Sequence, residues 1–536
     1  VLRAPVRPLA LLLAVAVASG CTTAGGGGAA PDPTQPVAAA RADLPVRGGS
    51  LRFASSGVIS LDPALADATG SSASLVADAL YDGLTRYDAP SASAMGALAT
   101  SWSTSADGRS WTFTLSESAA FSDGRAVTAA DVKRSIERVA ARGESSLVAP
   151  LLSVIDGYAA VANGSSSVLR GVVARDATRL DITLATAYSA LPELLAAPAF
   201  GVVPRETPAA AASVVPTATT GPFTVGERDD RTLQLVRSPG STAMLDEIRI
   251  SLQPDADAAF RAFADGGVDV VRVPAGKVGA VATSGGSVVQ APGGVTVFYG
   301  FNLAAPAVSS LAMRQAINKA IDRDAIRSAF FADEADVMTG LIAPGLAGAR
   351  DNACGSACLP DVAAAKALVA KAFPDGKVPI VTVNHFTDPA GREAAMAKAV
   401  VDSLAAAGIP AVVDARPAAE YQQALAVGGL TMFRFGRVEA YPSADTLGSL
   451  FGSKAIDNVF SFADAELDAA VRDARASNDA ATRSSKLMTA EDRVLANAVV
   501  VPIVRFRTSF AVSSTVKDLR VGPLGSVALQ DVWLAR

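Results

Sequence analysis

His385 is the single imidazole in a chain of 536 residues, so a Ser-His-Asp relay would have to be built on it. It lies in His385-Phe386-Thr387-Asp388, after a predicted strand, and there it reads as a surface or cleft-lining side chain. No G-x-S-x-G elbow, P-loop or G-x-G-x-x-G after a strand is present, and none of the 52 acidic residues has surroundings that single out a carboxylate pair. The residues therefore assemble no catalytic set, and no cofactor or metal is expected. Binding chemistry is better represented. The run Met432–Leu447, MFRFGRVEAYPSADTL, sets Arg434 and Arg437 among Phe435, Glu439 and Tyr441. Two guanidiniums can offer fork-shaped donors to a carboxylate or phosphate; the other reading makes both solvent-facing rim residues. Ser55, Ser56 and Gly57 follow a first predicted strand, where a backbone turn can donate hydrogen bonds to an extended ligand. Tyr299 and Phe301 alternate with Gly300, ahead of Asn302, so one face of that strand meets a core and the other a cleft.

The elements that must position these side chains are legible in the run Leu98–Arg138, LATSWSTSADGRSWTFTLSESAAFSDGRAVTAADVKRSIER. Trp111, Phe113 and Leu115 alternate with polar residues, the period-2 pattern of a strand with one buried face. Asp107-Gly108 and Asp123-Gly124 are turn pairs. Thr128 stands three residues before Asp131, the spacing of a capping box, and Val132, Ile136 and Val139 follow at helical spacing. The whole string resembles the signature of the family 5 extracytoplasmic solute-binding proteins of ABC importers, the dipeptide-, oligopeptide- and nickel-binding family. That signature runs roughly LAxSWxxSxDGxxxxFxLRxxVxFxDGxxxTAxDVxxSxxR, and Ser116 takes the place of its usual Arg.

The resemblance extends from Gly48 onward. Ser60-Leu61-Asp62-Pro63 resembles the family's LDP turn, Tyr81-Asp82-Gly83-Leu84 its YxGL helix end, and Tyr299–Ile326 the segment around its RQAxxxAIDR helix. Met313, Ala316, Ile317, Ala320 and Ile321 form the apolar stripe of that helix, and Arg314, outside the stripe, is free to pair with a carboxylate. Ile380–Asn384 reads as a strand, and Gly391–Ala407 as a helix closed by Gly408. The implied fold is mixed α/β: a two-lobed, periplasmic-binding-protein-like architecture (type II, cluster C). Residues 46–285 would form lobe one, with an extra subdomain at about 63–184; residues 286–498 would form lobe two, and 499–536 would return to lobe one. The chain would cross near Pro292–Thr296 and come back near Asn497–Val504. Ligand would lie between the lobes, with Tyr299 and Asn302 near the hinge. The family's peptide-binding members use the Asp of a GWxADYPDP-like motif to hold a ligand's ammonium. Here Arg437 stands for its Trp and Ala440 for that Asp, with Glu439 one residue earlier, so an anionic ligand or a peptide held through its backbone is expected.

The N-terminus reads as an address. Arg3 and Arg7 precede an apolar run, Leu9–Ala18, and Ala18-Ser19-Gly20-Cys21 resembles a lipoprotein cleavage site, which would make residues 1–21 a signal and Cys21 the lipidated residue. The apolar run falls short of the roughly 20 residues that span a bilayer. Residues 22–45, rich in Gly and Pro, read as a flexible tether. Outside the cytoplasm, Cys354 and Cys358 are most simply a disulfide; zinc with His385 as a third ligand is the alternative. A net charge of −5 with 18% charged residues argues against nucleic acid. The expectation is a monomeric binding protein, not an enzyme, on the outer face of the cell membrane, handing a peptide or peptide-like solute to an ABC permease and ATPase. The alternative keeps the fold and makes it an envelope sensor or regulator. A lone histidine argues against bare nickel.

Overall fold

The computed structural model describes residues 44–535, apart from 58, 67–69, 89–92, 439–442 and 456. Its main sheet has 11 strands. Ser50–Ser56 runs parallel to Glu247–Gln253 on one side and to Val270–Arg272 on the other. Thr232–Arg237 and Phe223–Arg228 extend this end of the sheet by antiparallel pairing. At the other end Val381–Phe386 lies parallel to Ala411–Arg416 and to Met432–Val438. Two long strands, Gly286–Phe301 and Val500–Ser513, join the halves and pair antiparallel with each other.

Their register shows where the chain passes from one lobe to the other. Gly286–Pro292 pairs with Arg507–Ser513, whose far side carries Val270–Arg272. The ladder is interrupted between Pro292 and Thr296, and Thr296–Gly300 then pairs with Val500–Arg505. From Val295 onward the first strand carries Met432–Val438 on its other edge. The return strand still pairs in the second lobe through Phe506, which lies opposite Ala335 of strand Ala335–Val337, and the residues opposite the irregularity are Arg505–Arg507.

A separate four-stranded sheet is built from Ala99–Thr104, Ser110–Leu115, Arg179–Thr183 and Val172–Ala174. Trp111, Phe113 and Leu115 point inward, and Gly108 supplies the left-handed turn at φ 67°. Helix Ala129–Ala140 follows, with Val132, Ile136 and Val139 buried. The Asp131 carboxylate accepts from the Thr128 N–H at 2.9 Å, and the Thr128 hydroxyl turns toward the same carboxylate. The last turn of this helix carries the link that explains the spacing of the motifs. Arg138 Nη2 donates to Asp62 Oδ2 at 2.6 Å, with both residues buried. Asp62 also accepts from the N–H groups of Ala64 and Ala211, while the Tyr81 hydroxyl donates to the Leu61 carbonyl at 2.8 Å.

In the second lobe Met313, Ala316, Ile317, Ala320 and Ile321 enter one core with Met396, Val400 and Leu404. Gly408, at φ 76°, closes helix Arg392–Ala406. Arg314 differs from expectation. Its guanidinium is buried and donates to the carbonyls of Asn497, Val308 and Ser309, because the helix packs its charged edge against the end of helix Ala480–Ala496. The sulfurs of Cys354 and Cys358 are bonded to each other just ahead of helix Val362–Ala372, which Asp361 caps. Among the described residues, no helix is long and apolar enough to cross a membrane.

Two outcomes follow. Asp62→Ala leaves Arg138 buried without its counter-charge and should cost about 3–5 kcal/mol in urea unfolding; a loss below 1 kcal/mol would show that the pair is dispensable. Asp78, on helix Ser72–Leu80, is pushed up to about 8 by burial and by the neighbouring Asp82 charge. Its folded value lies above the unfolded one, so stability is full at low pH and falls as pH climbs from 4 through 8. Asp78→Asn should therefore leave Tm unchanged near pH 4 and raise it by a few degrees near pH 8.5, read by scanning calorimetry.

Candidate functional site between the lobes

Parallel strands bring their carboxyl ends to one edge of a sheet, and ligands of open α/β sheets lie outside those ends. Here Ser50–Ser56 and Val270–Arg272 end side by side, next to the crossing strands. A cavity of about 570 Å³ opens at that place. Its walls include Ser55, Ser56, Arg272, Val295, Phe506 and Glu334. The first three belong to the first half of the sheet, Val295 and Phe506 to the crossing, and Glu334 to the second lobe. The volume suits a small organic ligand. A second cavity of the same size lies inside the first lobe, lined by Asp78, Asp82, Arg86 and Ser118 among others, away from the crossing strands.

The cleft cavity contains Ser55 and Ser56 of the residues singled out from sequence. Ser55 Oγ donates to Ser72 Oγ at 2.6 Å. Gly57, at φ 89°, turns the chain away just beyond the strand end. The other candidates lie elsewhere. Tyr299 is fully buried, its hydroxyl has no hydrogen-bond partner among the described residues, and burial drives its pKa up. Asn302 is buried as a brace: its amide donates to the Gly428 carbonyl at 2.8 Å and its oxygen accepts from the Ala304 N–H. Phe435 packs against Phe298 at a tilt and meets the Phe460 ring edge-on.

Arg434 is neither a rim residue nor a free fork. Both arms meet Glu393, at 3.0 and 3.1 Å, and the guanidinium lies over the Phe386 ring. Its charge is spent inside the protein, because a guanidinium and a carboxylate this buried would each be costly alone. Arg437 stands 3.6 Å from Asp457 and lines a small gap beside Thr296 and Leu447. Glu439, Ala440 and Tyr441 lie outside the described residues. His385 is not at a strand end: the strand runs through Phe386, and the ring is buried in the sheet with Nδ1 2.8 Å from the Phe386 carbonyl.

The sequence reading missed Arg272, Glu334 and Arg507. Arg507 is held by Asp336, with Nε 2.8 Å from Oδ2, and this hydrogen bond raises its pKa. The Glu334 carboxyl is raised by burial, opposed by the charge of Arg392 and the Gly276 N–H. A charge inside the apolar run Val268–Pro274, at the end of a parallel strand, was the available signal for Arg272.

The two halves, the crossing strands and the cavity between them define an extracytoplasmic solute-binding fold. Residues 94–458 match the family described as bacterial extracellular solute-binding proteins, family 5 Middle. The chain belongs to that family. It is 24% identical over 456 residues to the dipeptide-binding protein DppE of Bacillus subtilis (strain 168), covering 81% of this chain and 83% of that protein. Among solved structures it resembles the unliganded open form of the periplasmic murein tripeptide-binding protein MppA, with a TM-score of 0.79, 21% identity and coverage of 91% of this chain and 98% of the other. Clavulanic acid biosynthesis oligopeptide-binding protein 2 is similar, with a TM-score of 0.77, 22% identity and coverage of 92% and 97%. A nickel ABC transporter structure from Bacillus halodurans shares the fold as well, with a TM-score of 0.75, 19% identity and coverage of 90% and 100%.

Arg434→Ala strands Glu393 in the core and should lower stability by about 3 kcal/mol. Solute affinity of the folded variant should stay within about twofold of wild type, because Arg434 does not reach the cavity. A large loss of affinity with unchanged Tm would move Arg434 back into the site.

Proposed function

We propose that the protein is the substrate-binding lipoprotein of an ABC import system, capturing a peptide or peptide-like solute between its lobes and delivering it to the permease. The observation that carries this reading is the cavity of about 570 Å³ at the ends of two parallel strands, bounded by both halves of a family 5 fold. A ligand that touches both halves stabilises the closed arrangement, which is the form a permease can distinguish from the empty one. The similarity to DppE, whose name assigns it dipeptides, favours a peptide over nickel, as does the presence of one histidine. The leader that ends at Cys21 supports a lipid anchor on the outer face of the membrane.

Thermal-shift measurements against mixtures of di- to pentapeptides test the solute class. Saturating peptide should raise Tm by an amount that follows ligand concentration over Kd. If no peptide length shifts the transition, while an unrelated solute does, peptide import is the wrong reading.

A further inference from the structure

The second cavity, of about 570 Å³ in the first lobe, is lined by two carboxylates that the fold leaves unused. Asp78 lies in the last turn of helix Ser72–Leu80, and Asp82 follows just beyond its cap residue, Tyr81. Among the described residues neither carboxylate accepts a hydrogen bond or closes an ion pair. Asp62, Glu393 and Asp336, by contrast, each hold an arginine. Without a partner, such enclosed acids resist ionisation. Burial pushes Asp78 up to about 8, with the Asp82 charge adding to the effect. It pushes Asp82 up to about 6, opposed by the charge of Arg86.

The rest of the wall is poor in cations and rich in acceptors. Arg86, on strand Thr85–Asp88, is the one basic residue among the described walls, and it is exposed. The lining residues within 118–122, 196–201, 219–222, 238–242 and 526–530 carry no ionisable side chain. Burial raises the Tyr81 and Tyr87 hydroxyls, which stay neutral. Thr219, Thr220 and Ser238 donate their hydroxyl protons to the carbonyls of Phe223, Val202 and Gly221, at 3.2, 3.0 and 2.9 Å. Their oxygens therefore have only lone pairs left to offer. Two unpaired carboxylates among spent hydroxyls favour a positively charged donor and repel an anion.

The geometry points to a cation subsite in the first lobe, outside the interlobe cleft, where Asp78 and Asp82 together receive the primary ammonium of a small organic solute. An ammonium has three N–H donors, enough for both carboxylates and one hydroxyl oxygen of the wall. The volume is far larger than a bare ion needs and matches a small organic molecule. Among the described residues no group of three or more His, Cys, Asp or Glu side chains is placed to hold a metal. Such a subsite is independent of what the cleft carries. It also links binding to a proton. In the empty cavity Asp78 is largely protonated near pH 7, and an ammonium requires its carboxylate, so binding expels a proton and tightens as pH climbs through 8.

The test titrates n-butylamine, benzylamine and 1,4-diaminobutane into the full chain by calorimetry, with n-butanol as the neutral counterpart, near pH 6.5 and pH 8.5. At least one amine should bind about tenfold or more tightly at the higher pH. Near pH 7.5, its heat in two buffers of different ionisation enthalpy should report proton release. n-Butanol should bind at least about tenfold more weakly than that amine. Asp78→Asn and Asp82→Asn should each weaken the amine by about tenfold or more, and Asp78→Asn should abolish the pH dependence and the proton release. The Tm of each ligand-free variant reports whether the fold is intact. If no amine binds near pH 8.5, or if n-butanol binds as well as the amines, the subsite is overturned. Binding that survives both Asn variants and is lost in Glu334→Gln places the amine in the cleft and overturns it too. Calcium or magnesium ions binding more tightly than every amine, with loss in Asp78→Asn, overturn the organic ammonium as the ligand.

Discussion

The ladder between Gly286–Phe301 and Val500–Ser513 is the constraint on which the rest of the molecule depends. It is one continuous antiparallel pair, but its neighbours change along its length: Val270–Arg272 flanks one end and Met432–Val438 the other. The break in register between Pro292 and Thr296 contains Gly293 and Gly294, which tolerate backbone angles that other residues resist. The same pairing fixes where the parallel strands end, and so where the cavity lies.

Charge placement separates structural from available groups. Asp62 with Arg138, Glu393 with Arg434 and Asp336 with Arg507 are each satisfied within the fold. Burying such groups is costly, and the attraction between partners offsets that cost when the geometry is close and the other lone pairs are filled. Arg434 and Asp62 meet this condition, with two arms on one carboxylate in the first case and two backbone N–H groups on the acid in the second.

The motifs of the first lobe acquire a common reason in the same terms. Leu61-Asp62-Pro63, Tyr81-Asp82-Gly83-Leu84 and the helix ending in Arg138 are distant in sequence, yet Tyr81 bonds to Leu61 and Arg138 to Asp62. The residues that make the family signature recognisable are largely those that tie the extra subdomain to the first lobe. They carry the fold and do not contact the cleft cavity. A match to the signature therefore speaks for architecture and says little about what is bound.

What the sequence determined by itself was local. Strand and helix periods, the Thr128–Asp131 spacing, the inward faces of Met313–Ile321 and Gly391–Ala407, and the closing role of Gly408 depend on neighbours within a turn or two, and the structure shows them in place. The two-lobed class was legible as well, because its motifs are ordered along the chain. The fate of each charge was decided only in three dimensions. Arg434 and Arg437 looked equivalent three residues apart, but Glu393, on a different element, lies against one of them. Arg314 looked free, until the carbonyls of Asn497, Val308 and Ser309 surrounded it. Tyr299 passed for a site residue because a strand pattern gives two faces without saying which is covered, and His385, read as surface or cleft-lining, is buried in the sheet. Electrostatic pairing and burial act through space between segments hundreds of residues apart, so the tertiary structure alone selects which polar side chains remain for a ligand.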